Sequence, residues 1–511
     1  MSSAELQKAV EPKKKSNFKY TFTCAILAST TFIIIGYDIG VLSGASFYIK
    51  EDLKLTDVQL EILMGLSNPC SLVGSFAAAR TSDWIGRRNT IVLTAAIFFV
   101  AAFVMGFAAN YAMLMAGQFA AGVGGAYAMT IVPVYAAEIS PASLRGFMTS
   151  FPELTINLGI LLGYVSNYAF ARLPLRLGWR VMLGVSAPPS VLLAFMVLGM
   201  PESPRWLVMK GRLADARAVL EKTSDTAEDV AERLADIKVA AGIPKDVDGD
   251  VVAVPVNMIK GGEGSQIWKE LILSPSPAMR RILLSALGIM FLQQATGIDA
   301  LVLYTPRVFQ RAGMTDANRL LGVTCAVGVA KMLFTLVATL LMDRVGRRPL
   351  LLSSIGGMML SLVGLGVGLT VVDRHPGAKI TWALALCIAS NVALVSFFSV
   401  GLGPISFVYA TEILPLRVRA LGSALGVASN RVAAGVVTMS FLSLSRAITI
   451  GGTFFLYAGI TALTWVFVFA YLPETRGRTL EEMGKLFGMT TGAGMDENDD
   501  GKQKAVEMPA N

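Results

Sequence analysis

The chain holds one histidine, His375, and four cysteines in 511 residues, and Asp, Glu, Lys and Arg together supply only 16% of it. With a single imidazole, in a loop between two apolar runs, a Ser/His constellation has no base in the core. Neither a G-x-x-x-x-G-K-[ST] phosphate loop nor an H-E-x-x-H zinc helix is present. These absences weigh against an enzyme, and no metal or cofactor is implied. Cys24, Cys70, Cys325 and Cys387 all fall inside apolar runs, so free buried thiols are expected and no disulfide. No Asn-x-Ser/Thr sequon occurs either. What the chain has in plenty is apolar surface: 54% of its residues are hydrophobic and mean hydropathy is +0.60, too high for a soluble chain of this length. It reads as a membrane protein.

Apolar runs of about 20 residues, the length that crosses a ~30 Å hydrocarbon core, number about twelve. They lie near 20–48, 60–80, 90–109, 112–137, 148–170, 180–200, 281–309, 320–342, 349–371, 381–411, 420–443 and 450–472. The alternation a transmembrane barrel needs is absent, so the spans are helices and the fold class is an all-α membrane protein. Lys and Arg collect on one side: Lys13, Lys14 and Lys15 before the first span, Arg87 and Arg88, Arg145, Arg347 and Arg348, Arg417 and Arg419, and Arg476 and Arg478 after the last. By the positive-inside bias both termini are cytoplasmic. The excess of 44 Lys+Arg over 36 Asp+Glu then reflects topology, and no nucleic-acid partner is expected.

The chain also repeats itself. DWIGRRN at Asp83 returns as DRVGRRP at Asp343, VYAAEISPASLRG at Val134 returns as VYATEILPLRVRALG at Val408, and PESPR at Pro201 returns as PETRGR at Pro473. Three pairs in the same order indicate parallel repeats of six spans. The expected organisation is a cytosolic tail 1–19, a first six-helix half 20–202, cytosolic linker helices 203–279, a second half 280–475 and a cytosolic tail 476–511. Helical spacing of Leu, Ala and Val among charges in RLADARAVLEKTSDTAEDVAERLADI marks the linker as short amphipathic helices. The repeated charges Asp83, Arg87, Arg88, Glu138 and Arg145, with Asp343, Arg347, Arg348, Glu412 and Arg419, sit at the cytoplasmic helix ends. A positive-inside bias needs no acidic partners in matched positions, so these groups are expected to pair across a closed inner gate and to separate when it opens.

Together, DWIGRR/DRVGRR, VYAAEISPASLRG, PESPRW, QQATGID, GPISF…TEILP and PETRGR resemble the sugar porter family of the major facilitator superfamily over nearly the whole chain. SFPELTINLGILLGYVSNYAF and VLYTPRVFQRAG are similar to the plant polyol/monosaccharide transporters. The resemblance implies a twelve-helix rocker switch that carries a sugar or linear polyol, often by proton symport across the plasma membrane; a monomer is expected to be the working unit. In that family the QQ pair and the position of Asp299 contact substrate; Asn is frequent at the latter, and an aromatic, often Trp, stands where this chain has Phe407.

A rise of ~1.5 Å per helical residue gives depth. Counted from the charged cytoplasmic ends, Glu153 lies about 12 Å in, Asn430 about 16 Å, and Gln293 and Lys331 about 18 Å. Four spans thus place polar groups at the midplane, where transporters bind substrate. Gln293, Gln294 and Asn430 offer donors and acceptors to hydroxyls, and Tyr304 and Phe407 offer apolar faces to a sugar's carbons. Charges at a helix centre are costly, so Glu153 and Lys331 must face a cavity or a partner: either they neutralise each other or they bind hydroxyls from opposite halves. For Arg431 the choice between cavity and snorkelling stays open.

Asp38, Gln118 and Asp299 share a second depth, about 27 to 30 Å in. A carboxylate in a water-poor site takes up a proton more readily, the chemistry a proton symporter requires. Proton-coupled sugar porters usually carry Arg where this chain has Gln118, and that departure brings an uncoupled facilitator into play as the alternative. A channel is disfavoured by paired gate charges and a closed polar layer, and a non-transporting sugar sensor by the short tails.

Overall fold

The computed structural model describes residues 18–139, 151–224, 226–240, 243, 276–314, 316–375, 380–414 and 419–475. In the first half α1 (Phe18–Ser29) and α2 (Thr31–Asp52) form one span, and α3 (Asp57–Gly65) and α4 (Ser67–Ile85) the next. They are followed by α5 (Arg87–Gly106), α6 (Tyr111–Ile139), α7 (Phe151–Phe170) and the broken span α8 (Leu175–Gly184) with α9 (Ala187–Leu198). Three short helices, α10 (Pro204–Met209), α11 (Leu213–Thr223) and α12 (Ala227–Ala240), bury Leu207, Leu213, Leu220 and Leu234 in a small core of their own. In the second half α13 (Pro277–Ala295) and α14 (Ile298–Arg311) make one span, followed by α15 (Ala317–Val345) and α16 (Arg347–Arg374). Then come α17 (Thr381–Val400) with α18 (Leu402–Ile413), α19 (Arg419–Ala447) and α20 (Ile450–Tyr471).

Eleven of the twelve spans are long and apolar enough to cross a bilayer by composition alone. The twelfth is α7, and its lower hydropathy has a reason. Asn157 donates to Thr335 Oγ1 on α15 at 2.8 Å and Asn167 to the Gly40 carbonyl on α2 at 3.0 Å, so these two amides face partner helices, while Glu153 faces the interior. The α2–α7 crossing is a glycine seam. A Cβ at Gly36 would stand 2.0 Å from the Ile156 carbonyl oxygen, one at Gly40 2.3 Å from that of Ile160, and one at Gly159 2.2 Å from that of Ile33. Only hydrogen fits, and spacing of small residues by four keeps them on one face. Large apolar side chains such as Val73, Phe76, Trp84, Leu360 and Leu463 are exposed on the outer surface, as a lipid-facing belt requires.

Between the halves α2 packs on α14, α7 on α15, and α3 and α4 on α19. The two breaks in the second half are local. Gly297 has φ +87°, a left-handed conformation that turns α13 into α14, and Gly401 separates α17 from α18. All four cysteines lie in spanning helices, three buried and Cys325 half-buried. His375 caps the end of α16 and is exposed.

Candidate functional site

A cavity of about 430 Å³ lies between the halves. Asp38 from α2, Asn68 from α4 and Glu153 from α7 line it on one side. Gln293 and Gln294 from α13, Asp299 from α14, Lys331 from α15, Phe407 from α18 and Arg431 from α19 line it on the other. The two depths read from the sequence therefore open into one compartment. It runs toward the arginine-rich end of the molecule, where Pro133, Ala136, Pro152 and Thr339 also line it.

The amides divide into two kinds. Gln293 faces the cavity while its Nε2 donates to the Leu402 and Gly403 carbonyls at 3.0 and 2.8 Å, which ties α13 to the break before α18. Asn430 is not a cavity group. It is fully buried, and its Nδ2 donates to the Met290 carbonyl at 2.8 Å and to Gln293 Oε1 at 2.7 Å, while Oδ1 accepts from Gln294 Nε2 at 3.5 Å. Its neighbour Arg431, about 100° further round the helix, faces the cavity and donates to Asn68 Oδ1 across the halves at 3.5 Å. Tyr304 is likewise outside the cavity: it is fully buried, stacks on Phe441 and donates to the Thr438 carbonyl at 3.2 Å. The height of both residues fits the polar layer, but their side chains point into helix packing.

Glu153 and Lys331 both face the cavity and form no ion pair within 4 Å of each other among the described residues. Electrostatically, Lys331 and Arg431 answer to the same two carboxylates, Glu153 and Asp299. Asp299 stands in the first turn of α14, where the helix dipole favours negative charge. Asp38 accepts a hydrogen bond from Gln118 Nε2 at 3.3 Å and pairs with no Lys or Arg among the described residues. Gln118 itself is buried behind Asp38 and does not line the cavity.

Among the described residues the gate charges pair within each half, at the end of the molecule toward which the cavity runs; the pairing expected across the inner gate belongs to the state in which that gate is closed. Arg87 bridges Asp83 at 2.9 Å and Glu138 at 3.2 Å; Arg347 bridges Glu412 at 3.1 Å. Arg88 and Arg348 reach backbone carbonyls of their own half, Met200 and Phe469. The physical reason is the repeat, which places acid and base on neighbouring helices of one half. Arg145 lies outside the described residues, as do the side chains of Asp343 and Arg419; Lys13, Lys14, Lys15, Arg417, Arg476 and Arg478 lie outside them too.

Two residues quoted in the repeated motifs turn out to organise these clusters. Glu202 Oε1 accepts from the backbone N–H of Arg87 and Arg88 at 2.8 and 3.0 Å, and Glu474 does the same for Arg347 and Arg348 at 3.0 and 2.9 Å. Each carboxylate caps a helix whose preceding glycine, Gly86 or Gly346, has φ near +100°. The signal was the matched acid in PESPR and PETRGR.

At the opposite end the halves meet directly. Glu61 on α3 accepts from Ser443 on α19, Asp57 pairs with Arg446, and Arg307 on α14 donates to the Ser46 carbonyl on α2. The molecule is thus closed at one end and its cavity runs toward the other.

Sequence comparison agrees with this architecture. The pattern of the Sugar (and other) transporter family matches residues 23–487. Putative polyol transporter 1 of Arabidopsis thaliana is 56% identical over 481 residues, 94% of this chain and 94% of its own length. Polyol transporter 5 of the same plant is 57% identical over 477 residues, covering 93% of this chain and 87% of that protein. The fold is shared with the xylose transporter XylE from E. coli in its inward open conformation, at TM-score 0.74 and 23% identity over 91% of this chain and 100% of that one. Two repeats of six spans, the interfacial cavity and these likenesses lead to one conclusion: the chain belongs to the sugar (and other) transporter family, the sugar porters of the major facilitator superfamily, and is a multi-pass membrane transporter rather than an enzyme.

Proposed function

We propose that this chain carries polyols such as sorbitol, mannitol, xylitol and inositol, and monosaccharides, across the plasma membrane by alternating access, in symport with a proton carried by Asp38. Both termini are cytoplasmic in this reading, the monomer is the working unit, and no metal or cofactor takes part. The observation that carries it is that Asp38 shares one cavity with Gln293, Gln294, Asp299, Glu153, Lys331 and Phe407. Amide and charged groups from both halves suit a chain of hydroxyls, which accept and donate at every carbon. Phe407 suits its apolar edge, and Asn430 acts one step back by fixing Gln293. The polyol transport named for the Arabidopsis relatives fits this lining.

In the cycle, a proton on Asp38 and a bound polyol leave the cavity neutral enough for the halves to close over it. Opening at the arginine-rich, cytoplasmic end releases both. Gln118 supports a second reading: its amide donates to Asp38 but supplies no positive charge to expel the proton, which favours an uncoupled facilitator.

Substrate-evoked current in oocytes, measured against external pH with sorbitol, mannitol, xylitol, inositol, xylose and glucose, decides between them. Symport gives inward current that grows as pH falls and is lost in Asp38→Asn, with Gln118→Arg sharpening the pH dependence. Tracer uptake without current, unchanged from pH 5 to 8 in both Gln118 forms, refutes symport.

A further inference from the structure

We infer that Glu61 is a second working carboxylate of the transport cycle, a latch that holds the two halves together at the end opposite the arginine-rich mouth and lets go each time that end opens. The inference rests on the alternating access proposed above. Glu61 is 2% exposed on α3. Its Oε1 accepts the backbone N–H of Ser443 at 2.7 Å and its Oε2 the Ser443 hydroxyl at 2.5 Å, and Ser443 belongs to α19 in the other half. No Lys or Arg lies within 4 Å of it among the described residues.

A buried carboxylate without a cation is an expensive way to hold two helices together, and an apolar contact of similar volume does so at lower cost. Packing therefore does not explain the charge. What a charge adds is a difference between states: charged hydrogen bonds to Ser443 while the end is shut, and water when it is open. The surroundings fit a site that is remade each cycle. Tyr457 on α20 has a buried hydroxyl with no hydrogen-bond partner among the described residues, and both it and Tyr304 lie within the field of Glu61. One turn outward the same two helices are joined again by Asp57 and Arg446, but the Arg446 side chain is 67% exposed, so that pair is the weaker tie.

The test uses Met64→Cys, one turn along α3 from Glu61 and lining the cavity. A membrane-impermeant thiol reagent added outside intact cells reaches this position when the latched end opens; the chain with only its native cysteines sets the background. Glu61→Gln keeps the side chain's size and makes its hydrogen bonds neutral, so labelling should speed up about tenfold, the difference between charged and neutral hydrogen bonds. Ser443→Ala should move the rate in the same direction, and the double variant should exceed Glu61→Gln alone by less than the factor Ser443→Ala gives on the parent. Unchanged labelling in both single variants, or full additivity in the double, overturns the latch. If Glu61→Gln does not reach the surface, Ser443→Ala decides alone, since it removes only a hydroxyl. Tracer uptake in the same cells reports on carrier function, so failure of the latch and failure of the transport reading remain distinct.

Discussion

Replacing Asn430 by alanine tests whether the binding amides are held from behind. The substitution removes a fully buried group that touches no cavity surface, so any effect on substrate must pass through Gln293 and Gln294. Three bonds are lost: to the Met290 carbonyl at 2.8 Å, to Gln293 Oε1 at 2.7 Å, and the one Oδ1 accepts from Gln294 Nε2 at 3.5 Å. Interhelical hydrogen bonds in membranes are worth ~0.6 kcal/mol each, so the two to the glutamines amount to roughly a sevenfold rise in KM if all of it reaches the site. Gln293 keeps its Nε2 bonds to Leu402 and Gly403 but its Oε1 loses its partner, so the amide is held on one side only. The assay is the concentration dependence of sorbitol uptake, normalised to surface protein. KM within twofold of the parent refutes the positioning role, and a fall in turnover at unchanged KM shows that Asn430 acts on the motion instead.

Tyr304→Phe should leave KM within twofold and cost less than about 1 kcal/mol in detergent stability, because it removes one hydrogen bond to the Thr438 carbonyl from a side chain that does not line the cavity; a tenfold loss of affinity would return Tyr304 to the site. Glu202→Gln and Glu474→Gln should each lower stability by about 1.5–3 kcal/mol, through weakened bonds to the paired arginine N–H groups. Because the two sit in different halves, thermal or denaturant unfolding of the double variant should show the two losses adding to within about 0.5 kcal/mol.

Much of this was legible in the sequence, and the reason is periodicity. Apolar runs count spans, repeated motifs count halves, and a fixed rise per residue brings Glu153, Gln293 and Lys331 to the level where one cavity now holds them. Counting gives height but not azimuth. On α19 the residues Asn430 and Arg431 share a height, yet only Arg431 faces the cavity; on α14 Tyr304 turns into packing against Phe441. The direction of charge pairing was equally hidden, since Arg87 and Glu138 read the same whether they meet within a half or across it. Glu61 gave no signal because TDVQLEILMG looks like an ordinary capped helix start, with Thr56 and Gln59 forming the capping box.

The glycine seam between α2 and α7 has a mechanical consequence. With backbone against backbone at Gly36, Gly40 and Gly159, there is no side-chain layer to slide or compress, so the two helices behave as a single strut. Asp38 rides on one member of that strut and Glu153 on the other, and their separation is fixed by the weld. In the proposed cycle, what varies is the distance from both to Lys331, Asp299 and Arg431, which ride on the other half. Under the symport proposed above, proton and cargo are thus weighed on one beam, against a counterweight carried by the opposite half.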